Sequence, residues 1–208
     1  MTDNWKGWQI VLASASPRRK ELLEQIGIEP KICPSKKEES AETQNPGELV
    51  MELARAKAED IASACPEGTM VIGADTVVAL DGRVMGKPAD EQEAFRMLAS
   101  LSGKTHQVYT GVALVLCLGE QKFHGSCFYE ETQVEVYPMK PEEIRSYITT
   151  GEPMDKAGAY GIQGSFAAWI KGIRGDYTNV VGLPLGRLYH EMNHLVFPGE
   201  EEQEADIK

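Results

Sequence analysis

Apolar and polar positions follow two rhythms along this chain. Dense apolar runs rich in β-branched residues occur at Gln9 to Ala13, Met70 to Leu80, His106 to Leu118 and Gln121 to Tyr137, and these read as strands. Between them, apolar residues recur every three or four positions. Pro17 to Ile26 places Leu22, Leu23 and Ile26 on one helical face. A helix from Asn45 to about Ala64 would turn Leu49, Leu53, Ala56 and Ile61 inward. A third, opened by Asp90, carries Ala94, Phe95, Met97, Leu98 and Leu101. Pro141 to Tyr147 and Pro184 to Leu195 complete the predicted helices.

The punctuation agrees with these rhythms. Ser16 suits an N-cap, Pro17 the first helical position and Gly27 a stop. Asn45 with Glu48, and Asp90 with Glu93, look like capping boxes. Asp81-Gly82 is a strong hairpin signal, and Gly119-Glu120 predicts a second tight turn. Lys36 to Asn45 is polar and loop-like. Gly151 to Gly164 reads as a glycine-rich loop, with a short strand at Phe166 to Ile170 after it. Parallel crossovers together with a long hairpin predict an α/β protein with a central mixed sheet flanked by helices. No repeat or linker divides the chain, so residues 1–198 read as one domain and residues 199–208 as a disordered acidic tail.

Size and composition narrow the class. The 208 residues, 42% hydrophobic, are enough for a sizeable core. No apolar run approaches the roughly 20 residues that span a bilayer, and "MTDNWKGWQIVLASASP" lacks a signal-peptide pattern. Cys33, Cys65, Cys117 and Cys127 show no C-x-x-C spacing, so reduced thiols in a cytoplasmic protein are expected. His190 and His194 stand four apart near a helix end and make no convincing zinc motif. The net charge is −11, of which the tail, with five acids against one lysine, supplies −4. An acidic body argues against a nucleic-acid track, yet it admits a small anion wherever cations are concentrated locally.

Four places break the local rules. The first turn of the Pro17 helix carries Arg18, Arg19 and Lys20 at the positive end of the helix dipole. Two readings fit: a solvated basic face, or an anion site in which backbone N–H groups, the Ser14 and Ser16 hydroxyls and Arg18 or Arg19 meet phosphate oxygens. The P-loop spacing is absent. Asp75 lies inside the apolar run "VIGADTVVAL". It marks either a bulge at Gly73, with Asp75 bonded to nearby backbone, or a carboxylate at a cleft edge that holds Mg²⁺ or takes a proton from water. Lys57 reads as a solvated helix lysine and Lys87 as a turn lysine, the latter set apart by Gly86 and Pro88 beside it. The loop 151–164 brings Lys156, Tyr160 and Gln163, groups able to bond a base or a phosphate, and a loop of that length is usually functional or disordered.

Together these segments resemble the Maf proteins, nucleoside triphosphate pyrophosphatases once named for an effect on septum formation. The resemblance is carried by "LASASPRRKELLEQIGI" (12–28), "ELARAKA" (52–58), "IGADTVVALDGRVMGKPAD" (72–90), "MLASLSGKTHQVYTGVAL" (97–114), "YITTGEPMDKAGAYGIQG" (147–164) and "NVVGLPL" (179–185). It implies an elongated, two-lobed Maf/ITPase-like fold around a central cleft. It implies hydrolysis of a nucleoside triphosphate to monophosphate and pyrophosphate with a divalent cation, Mg²⁺ or Mn²⁺. By the same resemblance Asp75, Lys57 and Lys87 are the catalytic candidates. Ser14, Ser16, Arg18, Arg19, Thr76, Lys156 and Gln163 are the candidates for substrate binding and specificity. Arg18, Thr76 and Gln163 are similar to the branch that prefers dTTP and UTP, and an amide such as Gln163 complements the N3–H and carbonyls of a pyrimidine. Lys36 and Lys37 depart from the acidic cluster many relatives carry, which leaves Glu38 or Glu39 as the acid that would assist Asp75 with metal. A homodimer is expected from the size class. The alternative function is a nucleotide-binding regulator of cell division with little turnover.

Overall fold

A computed structural model describes residues 4–37, 43–120 and 122–196. Glu38 and Glu39, and the acidic tail, lie outside the described residues. In chain order the elements are β1 (Gln9–Leu12), α1 (Pro17–Gln25), β2 (Lys31–Ile32), α2 (Pro46–Ala62), β3 (Thr69–Leu80), β4 (Arg83–Met85), α3 (Glu91–Leu101), β5 (Thr105–Cys117), β6 (Phe123–Val136), α4 (Pro141–Ile148), β7 (Ile170–Arg174), α5 (Tyr177–Val181) and α6 (Leu185–Val196). The described strands form one seven-stranded sheet in the order β2-β1-β3-β5-β6-β7, with β4 added to β3. The β1–β2 and β1–β3 pairs are parallel and the remainder antiparallel, so the sheet is mixed as expected. No helix among the described residues is long and apolar enough to cross a membrane.

The strand period of two divides the core. Ile10, Leu12, Met70, Ile72, Leu114 and Leu116 face a large cluster with α1, α3, α4 and α6. Val11, Ala13, Val71, Ala113 and Val115 face the other way, onto α2. That helix lies on the sheet almost backbone to backbone. A methyl group at Gly73 would overlap the Ala54 carbonyl oxygen, and one at Gly111 would overlap the Val50 carbonyl. Gly73 is therefore no bulge. The β3–β5 register runs unbroken through Gly73↔Ala113, and the missing side chain makes room for a helix. The same closeness corrects the predicted inner face of α2. The buried positions are Val50, Leu53, Ala54, Ala58 and Ala62, while Leu49, Ala56 and Ile61 lie at its flanks. Small residues sit innermost because the backbone has no space above it for larger ones.

Several expectations hold at the turns. Asn45 accepts hydrogen bonds from the Gly47 and Glu48 backbone N–H groups, and Asp90 from that of Glu93. Asp81 and Gly82 both have positive φ, as a two-residue turn of a right-twisted hairpin requires. Ser16 occupies the N-cap of α1 but its side chain caps nothing. The Ser14 hydroxyl instead accepts from the Ser16 N–H, and the first turn of α1 is left without a side-chain cap. Residues 151–169 are also more ordered than a loop. They form three short 3₁₀ turns, Glu152–Asp155, Ala157–Ala159 and Ser165–Trp169, and the strand predicted at Phe166 begins at Ile170. Fully buried Phe166 packs against Tyr147, Tyr160 and Trp169, and this aromatic cluster draws Ser165–Trp169 into a turn.

Two stability predictions follow from these contacts. Gly73→Ala should destabilise the protein by about 1–3 kcal/mol or more, read as a fall in the urea midpoint at unchanged slope. The second concerns His106, fully enclosed on β5, where burial lowers its pKa from 6.5 to about 4. The unfolded ring therefore takes its proton first as pH falls. The stability held by the neutral ring is intact above pH 6.5 and is lost progressively down to about pH 4. The loss is on the order of 3 kcal/mol. A His106→Phe variant should lose correspondingly less between pH 7 and pH 4 in the same denaturation assay.

Candidate active site

The cleft opens where β3 lacks a neighbour. One edge of β3 is covered by β5 along nearly its whole length. The opposite edge is covered by β1 at Thr69 to Ile72 and by β4 at Val78 to Leu80. Between these, Gly73 to Val77 has no strand partner on that side. The gap lies at the carboxyl end of parallel β1, beside the uncapped N-terminus of α1, which is where open α/β sheets bind ligands and helix ends bind anions. A cavity of about 890 Å³ fills it. Ser14, Ser16, Arg18, Arg19, Lys57, Asp75, Thr76, Lys87, Lys156 and Gln163 all line this one hollow. Every candidate named from the sequence is thus brought together except Glu38 and Glu39, which lie outside the described residues.

Asp75 and Thr76 are neighbours in β3, so they point to opposite faces. Asp75 faces α2, where Lys57 Nζ donates to its Oδ1 at 2.6 Å. Both side chains are largely shielded, at 17% and 13% exposure. Lys57 is therefore no solvated helix lysine: it orients the carboxylate. The bulge reading of Asp75 fails with the unbroken register.

Thr76 faces the other way, into a chain of hydrogen bonds. Thr110 on β5, opposite it in register, donates to the Asn179 carbonyl at 3.0 Å. The 2.9 Å contact between the two threonines then has Thr76 as donor. Thr76 Oγ1 in turn accepts from Arg19 Nη2 at 3.1 Å. Asn179, itself fully buried, donates to the Val108 carbonyl and to Thr132 Oγ1. The chain ties β3, β5, β6 and α5 together, and beyond Arg19 and Thr76 none of its members was a predicted site residue.

The three cations of α1 have three different fates. Arg19 turns inward: Nε donates to the Gly182 carbonyl at 2.9 Å, and Nη1 donates to Ser14 Oγ and the Ala74 carbonyl at 3.0 and 2.9 Å. With the bond to Thr76, its guanidinium is engaged by protein on several sides. Arg18 stays at the rim, 4.0 Å from Asp155, and Lys20 pairs with Glu24 one turn on. Asp155 also accepts from Lys156 at 2.6 Å, and that hydrogen bond, assisted by the charges of Lys156 and Arg18, holds its pKa below the ordinary 3.8. Lys156 Nζ reaches the Glu152 carbonyl as well, at 2.8 Å. The Glu152 side chain accepts from Tyr147 and from Ser165, pinning the far wall of the cleft. Lys87 stands exposed at the rim with no ion pair among the described residues.

The donor set sets terms for any metal. Among the described residues no three His, Cys, Asp or Glu side chains gather to hold an ion. Glu152 and Asp155 also line the cleft but are engaged by Tyr147, Ser165 and Lys156; Asp75, with one oxygen on Lys57, fits a cation shared with phosphate oxygens and water, the usual manner of Mg²⁺, and not a resident all-protein cage.

The chain is similar to several known proteins. A family model described as Maf-like protein matches residues 9–195. A dTTP/UTP pyrophosphatase of Agathobacter rectalis is 55% identical over 199 residues, covering 90% of this chain and 97% of that protein. A dTTP/UTP pyrophosphatase of Carboxydothermus hydrogenoformans is 52% identical over 184 residues, covering 88% and 97%. Among solved structures, a HAM1 protein from Coxiella burnetii aligns over 88% of this chain at 16% identity with a TM-score of 0.49. A match from the strand before the Ser-rich turn to the last helix, at half or more identity to full-length relatives, means that this chain belongs to the Maf family.

Proposed function

We propose that this protein is a nucleoside triphosphate pyrophosphatase that hydrolyses dTTP and UTP to the monophosphate and pyrophosphate. The observation that carries the reading is the Lys57–Asp75 pair at the floor of a cleft whose rim holds Arg18, Lys87 and Lys156. The family and the names of its relatives at 47–55% identity support it.

The division of labour follows from the geometry. The triphosphate lies along the rim cations and the N-terminal turn of α1, which stabilise charge where it builds up on the leaving pyrophosphate. Lys57 engages Oδ1 of Asp75, so the second carboxylate oxygen is available at the reacting centre, either to deprotonate water or to hold a divalent cation. Ser14 Oγ accepts from Arg19 and from the Ser16 N–H, so its own proton remains a donor for a phosphate oxygen. Gln163 meets the pyrimidine edge. A divalent cation, Mg²⁺ or Mn²⁺, if held at Asp75, would supply neutralisation of the phosphates' charge. The acidic body fits a soluble cytoplasmic enzyme of free nucleotides, with no nucleic-acid track.

Purified protein supplied with Mg²⁺ and a panel of triphosphates should release pyrophosphate from dTTP and UTP in many-fold excess over enzyme. Release of orthophosphate, or at most one equivalent of product, would reject the reading. Asp75→Asn should lower turnover by about 10²–10⁴-fold without unfolding the chain. Gln163→Glu should lower kcat/KM for UTP by about 10–100-fold, since the new carboxylate has lost the donor half of the amide.

A further inference from the structure

Gln163 and Lys156 reach the cleft on a segment whose backbone is held in an uncommon shape. Gly158 and Ala159 both have positive φ, at 67° and 61°. The first is a glycine. The second carries a β-carbon, and alanine in the left-handed region persists only where its surroundings hold it there. The next residue, Tyr160, does the holding. Its ring lies 4.7 Å from that of Phe166 and meets the His106 ring edge-on at 5.3 Å. Its hydroxyl is 2.8 Å from His106 Nε2, across 54 residues of chain. Gly158 N–H bonds to the Gly86 carbonyl before this step, and Gly161 N–H to the Tyr147 hydroxyl after it. Tyr160 is the side chain through which the step itself is tied to the sheet.

His106 is a costly choice for its position. It is completely enclosed, and its Nδ1 has no partner among the described residues. If Nε2 carried the proton, the Tyr160 hydroxyl hydrogen and the Nδ1 lone pair would both go unpaired. If Tyr160 donates to Nε2, only the Nδ1–H does. The second arrangement wins, and it still strands one buried donor. A phenylalanine at each of the two positions would fill the space with no stranded group. Local rules are broken in this way where a side chain serves something other than stability.

We propose that His106 is a positioning residue for nucleotide selection: by accepting the Tyr160 hydroxyl it fixes the Ala159–Tyr160 backbone step, and so sets where Gln163 and Lys156 stand in the cleft. It does this from the interior of the sheet, without touching the nucleotide. The proposal rests on the reading of Gln163 as the group that meets the base.

The test compares wild type with His106→Phe, Tyr160→Phe, the double variant and His106→Gln. Tyr160→Phe removes one oxygen only and serves as the mild variant if His106→Phe folds poorly. Pyrophosphate release is measured with UTP and with GTP. In each single variant KM for UTP should rise about tenfold while kcat changes less, and the UTP-over-GTP preference should fall about tenfold, the scale of a misplaced positioning group. The double variant should be no worse than the poorer single one, because both remove the same bond. His106→Gln, which keeps an acceptor, should recover part of the preference. An unchanged UTP-over-GTP ratio in folded variants overturns the proposal. So does an equal loss on both nucleotides, which would mark general packing. A second readout needs no turnover: in ¹⁵N spectra Tyr160→Phe should move the backbone amide signals of Gln163 and Lys156. If those signals stay put, the proposal fails even should the wild type release pyrophosphate. If they move while the wild type releases none, the coupling stands and the pyrophosphatase reading is what fails.

Discussion

Arg19 joins three pieces of chain that the topology leaves apart. Its guanidinium bonds to the Ser-rich turn at Ser14, to the unpaired edge of β3 at Ala74 and Thr76, and to the Gly182 turn between α5 and α6. That edge is open because β1 stops at Leu12 and β4 reaches back along β3 only as far as Val78. An open edge carries unsatisfied backbone groups, and the Ala74 carbonyl would be one of them. A planar side chain with five donors in fixed directions can satisfy such a carbonyl and two other elements at once, which a lysine cannot. The cleft is thus a sheet defect closed along one side by a single side chain. The opening left beside it is the space in which the other candidate residues meet.

The alternation of β3 then sorts the chemistry. Asp75, on the α2 face, is handed to Lys57. Thr76, on the opposite face, enters the network that runs through Thr110 and Asn179 to Thr132. Consecutive residues therefore serve two systems that never share a partner. The carboxylate sits on one side of the strand, and on the other a string of hydroxyls and amides that Arg19 joins at Thr76. That network, with Asn179 Oδ1 left without a partner among the described residues, holds the strand in place while the Lys57–Asp75 pair remains beside the solvent of the cleft.

The elements were legible where local rules decide them. Caps at Asn45 and Asp90, the turn at Asp81-Gly82 and the long strands follow from residue type alone. The candidate site was legible for a different reason: Asp75 in an apolar run and three cations at a helix start contradict their settings. What stayed hidden was set by distant neighbours. Nothing in "SPRRK" distinguishes the inward Arg19 from the outward Arg18, because the difference lies in an edge carbonyl at Ala74 and a turn at Gly182. Nothing in "VIGAD" separates a bulge glycine from one that admits a helix, because the helix arrives from residues 46–62. The turn Ser165–Trp169 was misread as a strand since a short apolar run has no period of its own, and the ring cluster around Phe166 decides it.

The seat of α2 on the sheet has a mechanical meaning. At Gly73 and Gly111 no side chain separates helix from strand, so the spacing of Lys57 from Asp75 is set by contact of main chain on main chain. Such a joint has no cushion. It cannot be tuned by repacking, and loosening elsewhere in the molecule must reach it last. The walls that carry Gln163 and Lys156 hang instead on rings and hydroxyls, which can be exchanged one at a time. One half of the pocket is therefore a rigid anvil and the other an adjustable jaw, and variation in what the protein grips has room only in the jaw.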